Sequence, residues 1–220
     1  MKSGRKESST MQPAFWDARY ANEDGYVFGT APNDFLRTVA DTLKSGGRIL
    51  CLAEGEGRNA VFLAERGHAV TAVDHSAVGL AKARRLADER GVLRRVNLVV
   101  ADLRRHDLRK EAWDAIVWIF LHLPPPDRLG LLQRATEALA PGGLLVLECY
   151  TPRQVRWKTG GPIQAPELLM ELADLQRGSP ALETLIGREC ERDVIEGSGH
   201  TGRADVVQWL ARKPLAVGAG

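Results

Sequence analysis

The segment from Ile49 to Ala60, ILCLAEGEGRNA, constrains the fold of this chain more than any other. Ile49, Leu50, Cys51, Leu52 and Ala53 form a short unbroken apolar run, the pattern of a strand covered on both faces in a parallel sheet. Gly55 and Gly57 then let the backbone turn sharply and approach a ligand without Cβ interference. Arg58, Asn59, Ala60 and the residues after them carry helical spacing, so the free amides of a helix N-terminus point at whatever sits over the turn. Strand, glycine turn and helix in direct succession predict a βαβ start with a nucleotide-type pocket at the turn. A lone Gly-x-Gly also marks a plain tight turn.

The sequel decides between these readings. HAVTAVD reads as a second strand ending in Asp74, 17 residues beyond Gly57, and a carboxylate there accepts hydrogen bonds from both hydroxyls of a ribose. A third apolar segment, Val96 to Val100, leads into Asp102 and Leu103, where a carboxylate and the next amide suit the edge of an adenine. Either aspartate also serves as an ordinary cap or turn residue. Three consecutive strands ending in ligand-type residues favour the pocket.

A chain of 220 residues with 44% hydrophobic content supports one α/β domain with helices on both faces of its sheet. The net charge of +2 carries no polyanion signal, and Arg94, Arg95, Arg104, Arg105, Arg109 and Lys110 are scattered without interleaved aromatics, so no nucleic acid partner is expected. The three cysteines are dispersed, two of them in apolar runs, as for buried thiols in a reducing compartment. No metal-ligand cluster is visible. Residues 1–14 are polar and basic without an apolar stretch and read as a disordered tail, 15–214 as a single domain whose residues 15–47 supply a lid and leading helix, and 215–220 as a flexible tail. No run reaches the roughly 18–20 apolar residues of a membrane span, so the protein is expected in the cytoplasm, away from membranes.

Along the domain, helices are expected near 33–44, 59–65, 78–90 and 127–139, with a fourth strand over 115–120. Leu121, His122, Leu123 and three prolines follow, predicting a loop. Pro141, Gly142 and Gly143 predict the turn into a fifth strand, 144–149. After a polar loop and a helix near 166–175, strands over 189–196 and 205–212 joined by GSGHTGRA predict an antiparallel hairpin. The whole is a Rossmann-like doubly wound sheet, mostly parallel.

The motifs FWDARY, YVFGTAPNDFL, EGEGRNAVFLAERGHAVTAVD, ADL, the PGG turn and EGSGHTGRADVVQ resemble class I S-adenosylmethionine-dependent methyltransferases, in particular a small bacterial subgroup related to the tellurite-resistance and thiopurine enzymes. The resemblance implies seven strands, the last inserted antiparallel beside the fifth. It implies S-adenosyl-L-methionine as cofactor and S-adenosyl-L-homocysteine as product. Trp16, Arg19 and Tyr20 fall where the family encloses cofactor and substrate, and Glu54, Gly55, Glu56, Gly57, Arg58, Asn59, Asp74, His75, Asp102, Leu103, Ile119 and Phe120 complete the implied cofactor set. Cys51 and Ala53 stand where such enzymes commonly carry an acidic residue and a glycine. Glu54 and Glu56 lie close enough to compensate, or are solvated loop charges.

Methyl transfer asks chiefly for alignment, and no catalytic triad is present. His122, after the fourth strand at the ligand-binding edge of the sheet, is the first candidate for a general base, or else packs under the proline loop. His200 is a weaker candidate, equally a turn residue. Tyr150, Arg153 and Trp157 form an acceptor-side wall or a solvated loop. No Asn or Asp precedes a Pro-Pro-aromatic after the fourth strand, which disfavours a base or glutamine nitrogen; the family resemblance implies a small acceptor, such as a thiol, selenol or reduced tellurium species, that needs little base assistance. Two other readings stand beside it. Gly55, Gly57 and Ala60 also satisfy the dinucleotide fingerprint of an NAD-dependent oxidoreductase, although Glu54 and Glu56 would repel a pyrophosphate; and Cys51 with Ala53 allows a non-catalytic S-adenosylmethionine-binding protein.

Overall fold

The computed structural model describes residues 12–21 and 25–215. Seven strands form one sheet: β1 (Arg48–Leu52), β2 (Ala69–Asp74), β3 (Val96–Val100), β4 (Trp113–Ile119), β5 (Leu139–Tyr150), β6 (Glu183–Glu196) and β7 (His200–Arg212), in the order β3-β2-β1-β4-β5-β7-β6. The first five are parallel. β7 lies antiparallel between β5 and β6, with Leu144 opposite Arg212 and Tyr150 opposite Val206. This is the expected architecture, including the terminal hairpin. Among the described residues six α-helices accompany it: α1 (Pro13–Ala21), α2 (Asp34–Val39), α3 (Arg58–Glu65), α4 (Ala77–Glu89), α5 (Pro125–Ala138) and α6 (Leu172–Gly178).

Period-two alternation in β1 divides the core between the two faces. Leu50 and Leu52 join Trp118, Trp209 and the α5 residues Leu131, Leu132 and Ala135 on one face. Ile49 and Cys51 join Phe35, Leu36 and Val39 of α2 and Ala60, Leu63 and Ala64 of α3 on the other. Both faces being covered, the strand is apolar throughout, as its sequence requires.

Several boundaries differ from expectation. Pro125 and Pro126 open α5 rather than extending a loop, because the first helical position needs no amide donor. Pro141, Gly142 and Gly143 sit within β5 as an irregularity: Trp113 pairs with Leu139 but Ala115 with Leu144. The helix expected near 166–175 divides into a 3-10 turn, Pro166–Leu168, and α6. α2 ends early in a 3-10 turn, Ala40–Thr42. α1 takes up Pro13 and Ala14, whereas residues 1–11 and 216–220 of the expected tails lie outside the described residues. Among the described residues no helix is long and apolar enough to cross a membrane.

Candidate active site

A cavity of about 400 Å³ opens at the carboxyl ends of β1 to β4 and is covered by α1 and Phe28. Its floor is the turn after β1. Ala53 adopts φ +50°, a left-handed conformation in which an L side chain is strained. Gly55 (φ +61°) and Gly57 (φ +91°) follow. A Cβ on Gly57 would meet the Cβ of Ala83 on α4 at 2.6 Å, and one on Gly55 would meet the Tyr20 hydroxyl at 2.5 Å. The two glycines therefore serve packing, one against α4 and one against α1.

Asp74 stands where the sequence places it, at the end of β2 and on the cavity wall. Its Oδ2 accepts the Gly55 amide at 2.8 Å and its Oδ1 the Ser76 amide at 2.7 Å. Burial raises its pKa against these two donors. A carboxylate oxygen has a second lone pair, so acceptor capacity toward a ribose remains. Glu54 lines the cavity beside it, and its Oε1 accepts the Asn59 and Ala60 amides, both at 2.8 Å. Glu54 thus caps α3 from the preceding turn. Burial pushes it up to about 7, against these same amides and Arg58. Cys51 is fully buried beneath, its thiol pushed up by burial and by Glu54, and supplies no acid.

Glu56 departs from expectation. Its Oε2 accepts the Val27 amide at 2.8 Å and its Oε1 pairs with Lys82 at 2.9 Å, while Lys82 also donates to the Gly25 carbonyl at 2.6 Å. It is turned off the cavity, to clasp the N-terminal segment onto α4. Of the two glutamates, Glu54 lines the cavity and Glu56 does not.

Arg58 and Asn59, at the start of α3, line the cavity. Arg58 is 7% exposed; Nη2 pairs with Glu196 at 2.7 Å, and Nη1 is buried with no hydrogen-bond partner among the described residues. Asn59 accepts the Asn33 amide at 2.9 Å, and Asn33 Nδ2 donates to Glu148 at 2.7 Å and Glu196 at 2.9 Å. This buried network ties α3 to β5 and to the end of β6.

Asp102 and Leu103 after β3, His75 after β2, and Ile119 and Phe120 at the end of β4 all reach the wall. Asp102 is already engaged by Arg104, through its amide at 2.9 Å and its guanidinium at 3.0 Å. Against desolvation, those bonds hold its carboxyl below the usual range. Phe120 adopts φ +51°, which turns its ring into the cavity mouth.

α1 covers the cavity, and its anchor is one the sequence did not advertise. Ser76 caps α4 by accepting the Gly79 amide at 3.0 Å and donates its hydroxyl to Asp17 on α1 at 2.5 Å. Trp16, Tyr20 and Phe28 pack together, Trp16 and Tyr20 at 5.6 Å between centroids, and the Arg19 guanidinium lies 5.9 Å from the Trp16 ring and 5.6 Å from Phe28. Trp16, Arg19 and Tyr20 thus line the cavity as expected. Gly199 reaches the Val27 carbonyl at 2.9 Å, joining this segment to the β6–β7 turn.

Beyond the polar half lies an aromatic compartment. Phe120 stacks on Tyr150 at 4.5 Å, His122 lies parallel to Tyr150 at 5.7 Å, and His200 contacts Phe28 and Phe120 at 4.5 and 4.8 Å. His122 Nδ1 is 3.2 Å from the Leu168 carbonyl. Because a carbonyl only accepts, Nδ1 carries the proton and Nε2 presents a lone pair, buried and unpartnered among the described residues. Burial pushes His122 down to about 4. It is a neutral hydrogen-bond acceptor rather than the near-neutral base its ordinary pKa suggests. Tyr150, Arg153 and Trp157 are not on the cavity wall: Tyr150 is buried and stacked on Phe120, Arg153 pairs with Asp205 at 3.0 Å and Glu189 at 3.1 Å, and Trp157 lies under Arg156 and Arg203. Gly160, Gly161 and Pro162 supply the wall instead. His200, which ranked behind His122 on sequence, proves to be at the site. Among the described residues no group of His, Cys, Asp or Glu is arranged to hold a metal ion.

This sheet order is a fold shared with the solved structure of SAM-dependent methyltransferases from Methanosarcina mazei, which superposes with a TM-score of 0.66 at 18% identity over 81% of this chain and 97% of that one. Residues 49–143 match the protein family described as a methyltransferase domain. The chain is 36% identical over 78 residues to the carboxy-S-adenosyl-L-methionine synthase of Chromohalobacter salexigens, covering 36% of this chain and 29% of that protein. It is 30% identical over 131 residues to the phosphatidylethanolamine N-methyltransferase of Cereibacter sphaeroides, covering 60% and 62%. Both alignments thus span less than two thirds of the relative. A structure solved in a study of the conversion of a disulfide bond into a thioacetal group during echinomycin biosynthesis superposes with a TM-score of 0.72 at 21% identity, over 93% of this chain and 92% of that one.

The residues fit the cofactor of this class. The buried Nη1 of Arg58, without a partner among the described residues, suits an anion, which a methionyl carboxylate would supply. Glu54 offers negative charge to a cationic amine or sulfonium. Asp74 keeps lone pairs that would serve a ribose, and Asp102 with Leu103 would meet a base on the cavity wall.

Proposed function

We propose that this protein moves a methyl group from S-adenosyl-L-methionine to a small acceptor through a soft chalcogen atom, a thiol first of all. The carrying observation is the division of one cavity into a charged half, with Glu54, Asp74, Asp102 and Arg58, and an aromatic half, with Phe28, Phe120 and two neutral-leaning histidines. When bound, the cofactor supplies an electrophilic methyl on a cationic sulfur. Arg58 would hold its carboxylate and Glu54 its cationic end, so the aromatic half receives the acceptor. His122 Nε2 accepts a hydrogen bond from the acceptor's X–H group and fixes its direction. Tyr20, Trp16 and Phe28 exclude water above it. Such alignment is worth about 7–11 kcal/mol of barrier in favourable cases.

An enclosed, ring-walled compartment suits a small molecule and gives no track for a nucleic acid strand, which needs exposed basic and aromatic surface. The finer assignment to the tellurite-resistance and thiopurine type rests on the sequence motifs. A dinucleotide reading is disfavoured because three carboxylates line the cavity where a pyrophosphate would need donors.

Calorimetric titration with S-adenosylhomocysteine, NAD and NADH, followed by a thiol panel, tests the reading. Binding of S-adenosylhomocysteine alone and turnover of a thiol are expected. Binding of a dinucleotide alone overturns the methyltransferase reading, and tight binding without turnover of any acceptor makes the chain a binding protein.

A further inference from the structure

The β6–β7 turn brings a second titratable pair to the cavity. The His200 ring is wedged between Phe28 and Phe120, with Tyr150 at 5.4 Å. Its Nδ1 lies 3.7 Å from Glu196 Oε2 and is buried without a hydrogen-bond partner among the described residues. The opposite edge of the ring runs beside Gly160, where a Cβ would stand 3.3 Å from His200 Cδ2. Both residues line the cavity, and the Nε2–Cδ2 edge is the one turned away from Glu196.

Glu196 is held on three sides. Oε2 accepts Arg58 Nη2 at 2.7 Å, while Oε1 accepts Asn33 Nδ2 at 2.9 Å and lies 3.3 Å from Arg192. Against the burial that pushes it up, His200 and Arg58 keep its carboxyl far below the usual range, so it stays ionised.

We infer that His200 is the base of the proposed transfer and that Glu196 is its positioning residue, orienting Nδ1 and balancing the imidazolium as it forms. The inference rests on the methyl-transfer reading. The arrangement is that of a base oriented by a buried carboxylate. As the acceptor atom X forms its bond to the methyl carbon, the methyl–sulfur bond breaks and its electron pair stays on sulfur. The X–H proton passes to His200 Nε2, and then to solvent once the product leaves. His122, with its Nδ1 spent on a backbone carbonyl and no carboxylate beside it, only directs the X–H group.

The charged and titratable groups facing His200 are Glu196 from β6, Arg58 from α3, Arg19 from α1, His122 from the loop after β4 and Tyr150 from β5. Glu196 alone raises its proton affinity; Arg58 and Arg19, after burial, lower it.

Two measurements test the pair. In the full chain without ligand, NMR titration of the His200 ring is expected to show its pKa lower by about one unit or more in Glu196→Gln than in wild type. An unchanged value overturns the pairing. In case Glu196→Gln fails to fold, His200→Gln is assayed with two probes, benzyl mercaptan, protonated at neutral pH, and 4-nitrothiophenol, already ionised. The expected loss in kcat is about tenfold or more for the first and absent for the second; equal losses overturn the base. A wild-type protein that binds S-adenosylhomocysteine and methylates neither thiol removes the transfer reading and the base with it. An unmoved NMR pKa, by contrast, removes the pair and leaves that reading standing.

Discussion

Asp74 accepts the amide of Gly55 at 2.8 Å across the ends of adjacent strands. The carboxylate that faces the cavity is therefore also the pin of the turn that floors it. Replacing Asp74 by Ala leaves the Gly55 and Ser76 amides without this partner, at about 1–3 kcal/mol of stability, and removes the ribose acceptor. Asp74→Asn keeps one acceptor oxygen and separates the two effects. Affinity for S-adenosylhomocysteine, by calorimetry, should fall at least about tenfold in both. Urea denaturation should show the larger loss of stability in Ala.

Glu54 has its folded-state pKa raised by burial to about 7. Protonation below that value removes negative charge facing a cationic ligand, so affinity for S-adenosyl-L-methionine should fall by up to about tenfold from pH 8 to pH 6. Glu54→Gln should flatten this dependence. The stability sign is opposite to that of a salt-bridged acid. The folded state holds the proton more tightly than the unfolded one, so the cost of ionising Glu54 is absent below its ordinary pKa and grows as pH rises toward 7. Glu54→Gln should therefore match wild type near pH 4.5 and exceed it by about 1–3 kcal/mol at pH 8.

His122 is neutral throughout the working range because burial pushes it down to about 4. His122→Ala should slow transfer by about ten- to a hundredfold through lost alignment, with unchanged cofactor affinity and the same pH profile as wild type. A new or missing limb near pH 6.5 in the rate profile would return it to the role of base.

Asp17 carries the lid by accepting the hydroxyl of the α4 cap, Ser76. Asp17→Ala should leave the sheet intact, speed proteolytic cleavage around α1, and weaken cofactor binding by about 1–2 kcal/mol. Equal proteolysis rates would show that the aromatic contacts alone hold α1.

Ala53 sits at φ +50°. Most Ala-to-Gly changes destabilise, yet Ala53→Gly should raise stability by up to about 1 kcal/mol, since relief of left-handed strain outweighs the added freedom of the unfolded chain. Thermal unfolding decides the sign.

The parallel sheet and the glycine turn were legible because their signals are local: an apolar run, two glycines, and aspartates at strand ends. Asp74 and Asp102 followed from those positions, whereas Trp16, Arg19 and Tyr20 came with the family motif. Glu56 did not, because nothing in EGEGR tells which of two glutamates points inward; Lys82 and the Val27 amide, far away in sequence, settle it. The pKa of His122 was hidden for the same reason, since it depends on the Leu168 carbonyl and the packing around it. His200 and Glu196 look like turn and edge residues until β7 inserts beside β5. The prolines after His122 misled in a simpler way, by reading as helix breakers where they are helix starters.

Ser198 donates to the Val27 carbonyl at 3.4 Å, across 171 residues of sequence, and the adjoining Gly199 makes the closer bond to the same oxygen. This seam has a consequence for when the site comes into being during synthesis. α1, the glycine turn and the first four strands leave the ribosome early, but the wall that meets Val27 and Phe28 is translated near the end. Closing so long a loop is slow compared with local folding. A nascent chain halted before β6 would carry the five parallel strands and α1 with the wall beside Val27 and Phe28 missing, and the complete cavity would date from the arrival of the last hairpin.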